Sequence, residues 1–419
     1  MARSAVSVFA VSRTGNRGAA SMLESAIDNL AFGENGCDFN VFTVYPEDDS
    51  EFPGTPGVAL FNGTPGNLVL KIIPLCMLHR FLSLFRIRLS GPGADMKALF
   101  SSDAVLIIGG TTFSDKQPVK IAYNVACLLP AVILGKRSMM YSQTLGPFRK
   151  WYNRLAGRML LPRISVVVAR GRGSLENVHG IGLDSAVTFT DSAFTLDVPE
   201  ETEERIRTLY APILEGKIVA GISVNSIVER KCRKRGIDHN GSFAALIDYL
   251  RGKGYFILLV PHSMRQRSKL RHNNDLFTVA DILGLLDSTD GIHVVREPYD
   301  CKELRAVVGL ADYYVASRFH SMISALCTGV PVAVFGWGAQ KYREVLEEFD
   351  LQEYYNDSRE ISGDNLVKGF EQVVQDSETI REKMRANIKR VRASSAAMHR
   401  VAGKLCRDEA FTIDGSIDE

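Results

Sequence analysis

Ten short apolar runs alternate with helix-like stretches along most of this 419-residue chain, and that alternation limits its fold more than any other feature. In the first half the runs are 4–11, 39–44, 104–108, 138–142 and 164–169. In the second half they are 218–224, 255–260, 292–295, 312–317 and 331–335. Most are nearly continuous in Val, Ile, Leu, Ala and aromatic residues. Such strands are buried on both faces, which happens when helices cover a parallel sheet from either side. Helical patterns fall between them, over 18–31, 119–134, 173–179, 242–251, 275–287, 300–309 and 319–328. The chain is too long for one ordinary core. The expected architecture is α/β, with two Rossmann-like parallel-sheet domains facing a cleft.

The composition shift places the domain boundaries. Residues 1–196 read as the first domain and 217–373 as the second. Between them, 197–216 (DVPEETEERIRTLYAPILEG) is polar and charged and reads as a linker. Residues 374–408 are charged and helical, and are expected to pack across the domains. Residues 409–419 read as a flexible acidic tail.

Hydrophobic content of 46% and charged content of 23% fit a soluble globular protein. A net charge of +2 gives no bulk argument for nucleic acid as a partner. The seven cysteines are scattered, with no CxxC pair and no Cys/His cluster at metal-ligand spacing, so no metal site is expected. That usage fits a reducing, cytoplasmic compartment. The opening MARSAVSVFAVSRTGNRG reads as a strand and its turn, not as a cleaved leader. The segment 67–87 (NLVLKIIPLCMLHRFLSLFRI) is interrupted by Lys71, Pro74, His79 and Arg80, so it is not expected to span a bilayer. Its leucines and phenylalanines with Arg80, Arg86 and Arg88 resemble an interfacial helix. Residues 67–88 would then touch the inner membrane surface if the acceptor were lipid-linked; a buried helix pair is the alternative.

The stretch 315–337, VASRFHSMISALCTGVPVAVFGW, concentrates polar chemistry at one junction. Phe319, Met322, Ile323 and Leu326 follow helical spacing, while Gly329 and Pro331 stop the helix. Arg318 and His320 therefore sit where a strand hands over to a helix. In open α/β sheets this is the carboxyl-end crevice where ligands bind. A helix N-terminus there favours an anion, and Arg318 adds a planar fork for phosphate or carboxylate. The plainer alternative is a turn-capping histidine and an arginine paired with a carboxylate.

SRFHSMISALCTGVPV resembles the arginine–x–histidine signature of the polysaccharide pyruvyl transferase family. Other segments follow in that family's order: TGNRGAASMLESA (14–26), VLIIGGTTFSD (105–115), YSQTLGPF (141–148), VVVARGRGSLENV (166–178), TDSAFTLD (190–197), and LLVPHSM (258–264) with Asn274-Asp275. Gly171 and Ser192 depart from its pattern, standing where an acidic residue and a proline are usual. The resemblance implies a GT-B-like fold. It also implies pyruvyl transfer from phosphoenolpyruvate to sugar hydroxyls of a cell-surface or exported glycan, or its lipid-linked precursor. A pyruvate ketal forms and phosphate is released. The first domain would face the acceptor and the second would hold the donor.

That chemistry sets requirements on the residues. Phosphoenolpyruvate carries a carboxylate and a phosphate, so its site needs cations and a proton donor. Arg170, Arg318 and His262 are the expected donor contacts, with the basic runs 229–236 and 262–272 nearby. His320 is the expected acid for the methylene carbon, since an imidazole has an ordinary pKa of about 6.5. Arg318 and Arg170 would stabilise the departing phosphate. No metal or cofactor is required. Acceptor or phosphate contacts are expected from Asn16, Arg17, Gly109, Gly110, Thr111, Gln143 and Asp191, and Tyr141 is a further candidate. For each of these a tight turn or strand-end packing is the alternative. Two other functions compete. One is a GT-B nucleotide-sugar glycosyltransferase, for which Glu344, Glu347 and Glu348 offer carboxylates. The other is a non-catalytic glycan- or anion-binding relative.

Overall fold

The computed structural model describes residues 3–31, 36–51, 54–87, 89–115, 118–265, 270–338 and 340–411. The chain forms two compact units. Unit one is Met1–Thr14, Met22–Thr195 and Arg392–Glu419; unit two is Gly15–Ser21 and Leu196–Val391.

Unit one is built on an eight-stranded sheet. Its strands are β1 (Ser4–Val11), β2 (Cys37–Thr43), β3 (Val58–Asn62), β4 (Ala104–Ile107), β5 (Thr111–Thr112), β6 (Arg137–Leu145), β7 (Val166–Arg170) and β8 (Val187–Phe189). They lie in the order β3-β2-β1-β4-β6-β7-β8, with β5 beside β6, and every pairing is parallel. Side chains alternate between the faces with the strand period of two. Phe9, Val105, Ile107, Met140, Val167 and Ala169 join one core. Leu68, Ile72, Cys76, Met96, Cys127 and Val178 from the helical segments complete it. Val8, Leu106, Met139 and Val168 are buried on the opposite face. There Tyr141 meets His399, a residue of the helix Ser377–Cys406, with ring centroids 5.6 Å apart.

Unit two repeats the plan with six strands: β9 (Val219–Ser223), β10 (Phe256–Leu259), β11 (Ile292–Val294), β12 (Tyr313–Ala316), β13 (Val332–Gly336) and β14 (Tyr355–Asp357). Their order is β11-β10-β9-β12-β13-β14, again all parallel. In both units the first strand lies between the second and the fourth. That reversal is the topological switch point of a doubly wound sheet, with an open crevice at its carboxyl end.

The helix Phe319–Thr328 buries Phe319, Met322, Ile323 and Leu326, and ends at Gly329 with φ 75. Residues 197–216 hold a helix, Glu200–Leu214, where a linker was expected. Three glutamates in its first turn suit the helix dipole, and Ile206 and Tyr210 are buried one turn apart. It belongs to unit two. The charged helix at 374–408 is Ser377–Cys406; its residues through Val391 belong to unit two and those from Arg392 to unit one. Of the acidic tail, 412–419 lie outside the described residues, as do Arg88 and 266–269 of the second basic run.

Candidate active site

Asp275 organises the switch point of unit two. It opens the helix Asp275–Leu283, capped by Asn274, whose side-chain oxygen accepts from the Leu276 N–H at 3.0 Å. Its carboxylate is fully buried. Oδ1 accepts from the backbone N–H and the hydroxyl of Ser226, each at 3.0 Å, and Oδ2 accepts from the Ser263 N–H at 2.9 Å. These donors come from the loops after β9 and β10. Arg318, after β12, completes the cluster. Its Nε donates to Oδ2 at 3.0 Å, its Nη2 donates to Oδ1, and Nη2 also reaches the Ser226 hydroxyl at 3.3 Å. The expected alternative for Arg318, pairing with a carboxylate, is thus present. A buried two-pronged pair of this kind fixes the plane of the guanidinium.

His320 lies one turn-step further, in the first turn of the helix Phe319–Thr328. Its imidazole packs against Gly18: a methyl group built on Gly18 would lie 2.2 Å from Nδ1 and 2.7 Å from Cγ. The ring of Phe319 meets it edge-on at 5.0 Å. Gly18 reaches this place because Gly15–Ser21 is part of unit two. Gly15 and Asn16 pair antiparallel with Met264 and Ser263, and the Arg17 N–H donates to the His262 carbonyl at 3.0 Å. The Asn16 side-chain oxygen accepts from the Gly18 N–H at 3.1 Å, so Asn16 shapes this turn. Three motifs far apart in sequence, GNRG, PHSM and SRFH, therefore converge.

His262 is enclosed, and its Nδ1–H donates to the Val260 carbonyl at 3.0 Å. Burial is the largest influence and pushes its pKa down to about 4; the Val260 carbonyl and Asp275 oppose this, while Arg318 and Arg17 reinforce it. The ring is neutral at ordinary pH and brings no charge to a donor. Arg17 is 4% exposed, a second buried cation near the same point. Of the first basic run, Lys231 and Arg235 lie over the Trp337 ring, at 5.3 and 4.8 Å.

The remaining candidates gather in unit one, at the carboxyl ends of β4, β6 and β7. Gln143 is fully buried; its amide donates to the Ile107 carbonyl at 2.6 Å and its oxygen accepts from the Thr112 hydroxyl at 2.7 Å. Arg170 is 3% exposed. Its Nη2 donates to the Gly110 carbonyl at 2.6 Å and to the Thr144 hydroxyl at 2.8 Å, while Nη1 pairs with Asp191. Asp191 also accepts from the Ala193 N–H at 2.8 Å. Arg170 is therefore not the open cation expected of a donor contact. Gln143, Arg170 and Asp191 brace the 109–112 loop from beneath, because their polar groups, once buried, must find partners. Gly109 lies against Thr112, and Thr111 is the exposed residue of the loop. Tyr141 is fully buried near His399, which rules out direct acceptor contact.

Asp275 and Ser226 were not among the residues singled out for the site, nor was the Gly18 slot. The legible signals were the cap Asn225-Ser226, just after a strand, and the cap Asn274-Asp275 at the start of a helix.

Two doubly wound parallel sheets in one chain define the GT-B class of α/β proteins. Solved structures agree in fold. The chain is similar to a putative UDP-N-acetylglucosamine 2-epimerase from Listeria monocytogenes, at 14% identity over 99% of this chain and 100% of that one, with a TM-score of 0.61. It is also similar to Anabaena Alr3699/HepE, solved in complex with UDP-glucose, at 10% identity over 97% and 100% of the two chains, with a TM-score of 0.58. At such identities the likeness shows the fold alone. No curated protein sequence matches the chain. The chain belongs to the polysaccharide pyruvyl transferase family, whose model matches residues 16–338. That range takes in Gly18, Arg170, Asp275, Arg318 and His320.

Proposed function

We propose that the protein transfers a pyruvyl group from phosphoenolpyruvate to two hydroxyls of a sugar acceptor, forming a ketal and releasing phosphate. The observation that carries this reading is the convergence of His320, Gly18 and the Arg318–Asp275 pair at the switch point of unit two. Family membership supports transfer to a polysaccharide acceptor.

Each residue has a task in that reaction. Asp275 holds Nε and Nη2 of Arg318 and leaves Nη1 for an oxygen of the donor. A positioned guanidinium loses little freedom on binding an anion and stabilises charge as phosphate departs. His320 donates its proton to the methylene carbon, which becomes the methyl group, and positive charge develops at the adjacent carbon. A sugar hydroxyl adds there and loses its proton to the imidazole. The carbon–oxygen bond to phosphate then breaks, phosphate leaves with the electron pair, and the second hydroxyl closes the ketal. Two hydroxyl protons are lost, one for the methyl group and one carried off with phosphate.

The test is to incubate the protein with phosphoenolpyruvate and a panel of glycans. The expected result is an acceptor mass increment of one pyruvyl group, with stoichiometric phosphate. Nucleotide release from a UDP-sugar, with no phosphoenolpyruvate turnover, would replace this reading by glycosyl transfer.

A further inference from the structure

Among the described residues of unit one, most of the exposed large hydrophobics lie on or just after the helical segments between Pro65 and Leu84. By length and composition this 20-residue stretch, of mean hydropathy 1.4, qualifies to cross a membrane. Its packing says otherwise. Leu68, Ile72 and Cys76 form a stripe at four-residue spacing that is fully buried in the core of unit one. The segment cannot leave that core for a bilayer while unit one stays folded. The opposite side is the unusual one: Leu70 is 82% exposed and Leu84 70%, and Phe81 and Phe85 stack edge to face, both in solvent. This is not the buried helix pair that the sequence also allowed.

A second helix repeats the pattern. Trp151–Leu160 exposes Trp151 (75%) and Met159. Both helices pack on the apolar helix Pro118–Leu134. Their charges share one sign. Residues 61–94 contain no Asp or Glu, and neither do 116–175. Arg80 and Arg86 are exposed beside the first apolar face, and Arg149, Lys150, Arg154 and Arg158 beside the second.

From this we infer that unit one docks on the surface of a bilayer containing anionic phospholipid, with both helices lying in the interface. Apolar and aromatic side chains enter the headgroup boundary while arginines meet lipid phosphates. Charge argues for lipid over a second copy of the chain, since two such basic faces repel one another. The inference stands apart from the proposed reaction and is tested without it.

The chain has two tryptophans, so Trp337→Phe leaves Trp151 as the sole reporter. The protein is mixed with phosphatidylcholine vesicles or with equimolar phosphatidylcholine–phosphatidylglycerol vesicles, and sedimented. Binding to the anionic vesicles should be about ten-fold tighter, weaken with salt, and shift Trp151 emission to the blue. The variant Leu70→Ser/Phe81→Ser/Phe85→Ser should lose binding with unchanged thermal unfolding, since these side chains are exposed. Arg80→Glu/Arg86→Glu should lose the preference for anionic lipid. No sedimentation, undiminished binding by the triple serine variant, or a solution dimer dissolved by that variant would overturn the inference.

Discussion

Gly18 and His320 occupy one slot: the imidazole lies where any side chain on residue 18 would have to be, 2.2 Å from a built methyl group. The N-terminal glycine turn thus sets the ring position of the proposed acid. Gly18→Ala should displace the ring and lower kcat by roughly 100-fold, the cost of a misplacement of about 1 Å. Unfolding temperature should change little by comparison. Steady-state kinetics beside thermal melts measure both, and unaltered kcat in a folded variant would remove the slot from the account.

The Asp275–Arg318 pair carries a different expectation. Removing one partner of a buried ion pair leaves the other charge uncompensated and costs about 3–5 kcal/mol. Asp275→Ala should show that loss in denaturant unfolding. Asp275→Asn keeps the volume, and should raise the KM for phosphoenolpyruvate by loosening the guanidinium. Arg318→Lys should not restore donor affinity, because the fork is lost. A lysine variant with unchanged KM would mean that point charge alone suffices.

Gly171 stands where the family pattern has an acidic residue, and its backbone is at φ 86, ψ 162. That region is essentially restricted to glycine. Gly171→Asp, though it restores the family residue, should destabilise unit one by about 1–3 kcal/mol. A melt equal to or above that of the parent would show that the backbone relaxes there.

Three enclosed histidines tie stability to pH. Burial pushes the pKa of His399 down to about 3, and those of His239 and His262 down to about 4. Each is neutral in the folded state and takes up a proton in the unfolded chain below about pH 6.5. The unfolded chain therefore binds more protons between these values, and stability falls as pH drops from about 6.5 toward 4. Each histidine contributes up to about 1.4 kcal/mol per ten-fold change in proton concentration. His399→Gln should be less stable at neutral pH, losing contacts to Thr195 and Ser25, yet show a shallower acid slope. Parallel pH profiles of parent and variant would contradict this.

Much of the framework was legible because central parallel strands are apolar on both faces. All ten runs fall on sheet strands, and Ser4–Val11 matches to the residue. Four sheet strands escaped notice: the short edges Val58–Asn62, Val187–Phe189 and Tyr355–Asp357, and the two-residue Thr111–Thr112 beside the main path. Three are too short to carry an apolar run of their own; Val58–Asn62 carries VALF, but none of its residues is fully buried. Glu200–Leu214 was masked by its charge, since only Ile206 and Tyr210 are buried. Arg318 and His320 were readable from the strand-to-helix junction. Asp275 was legible only as part of the Asn274-Asp275 cap; its pairing with Arg318, 43 residues away in sequence, was not, because it depends on loops that meet at the switch point. Arg170 and Gln143 sit at strand ends as expected, but burial turned their polar groups inward.

The central claim is that the His320 imidazole protonates the donor carbon. The most direct measurement compares His320→Ala with the parent for phosphoenolpyruvate binding by calorimetry and for phosphate release in the presence of acceptor. The account predicts donor affinity close to the parent's and turnover lower by about 100- to 10,000-fold, the range for loss of a positioned acid. Turnover close to the parent's at saturating donor would contradict it.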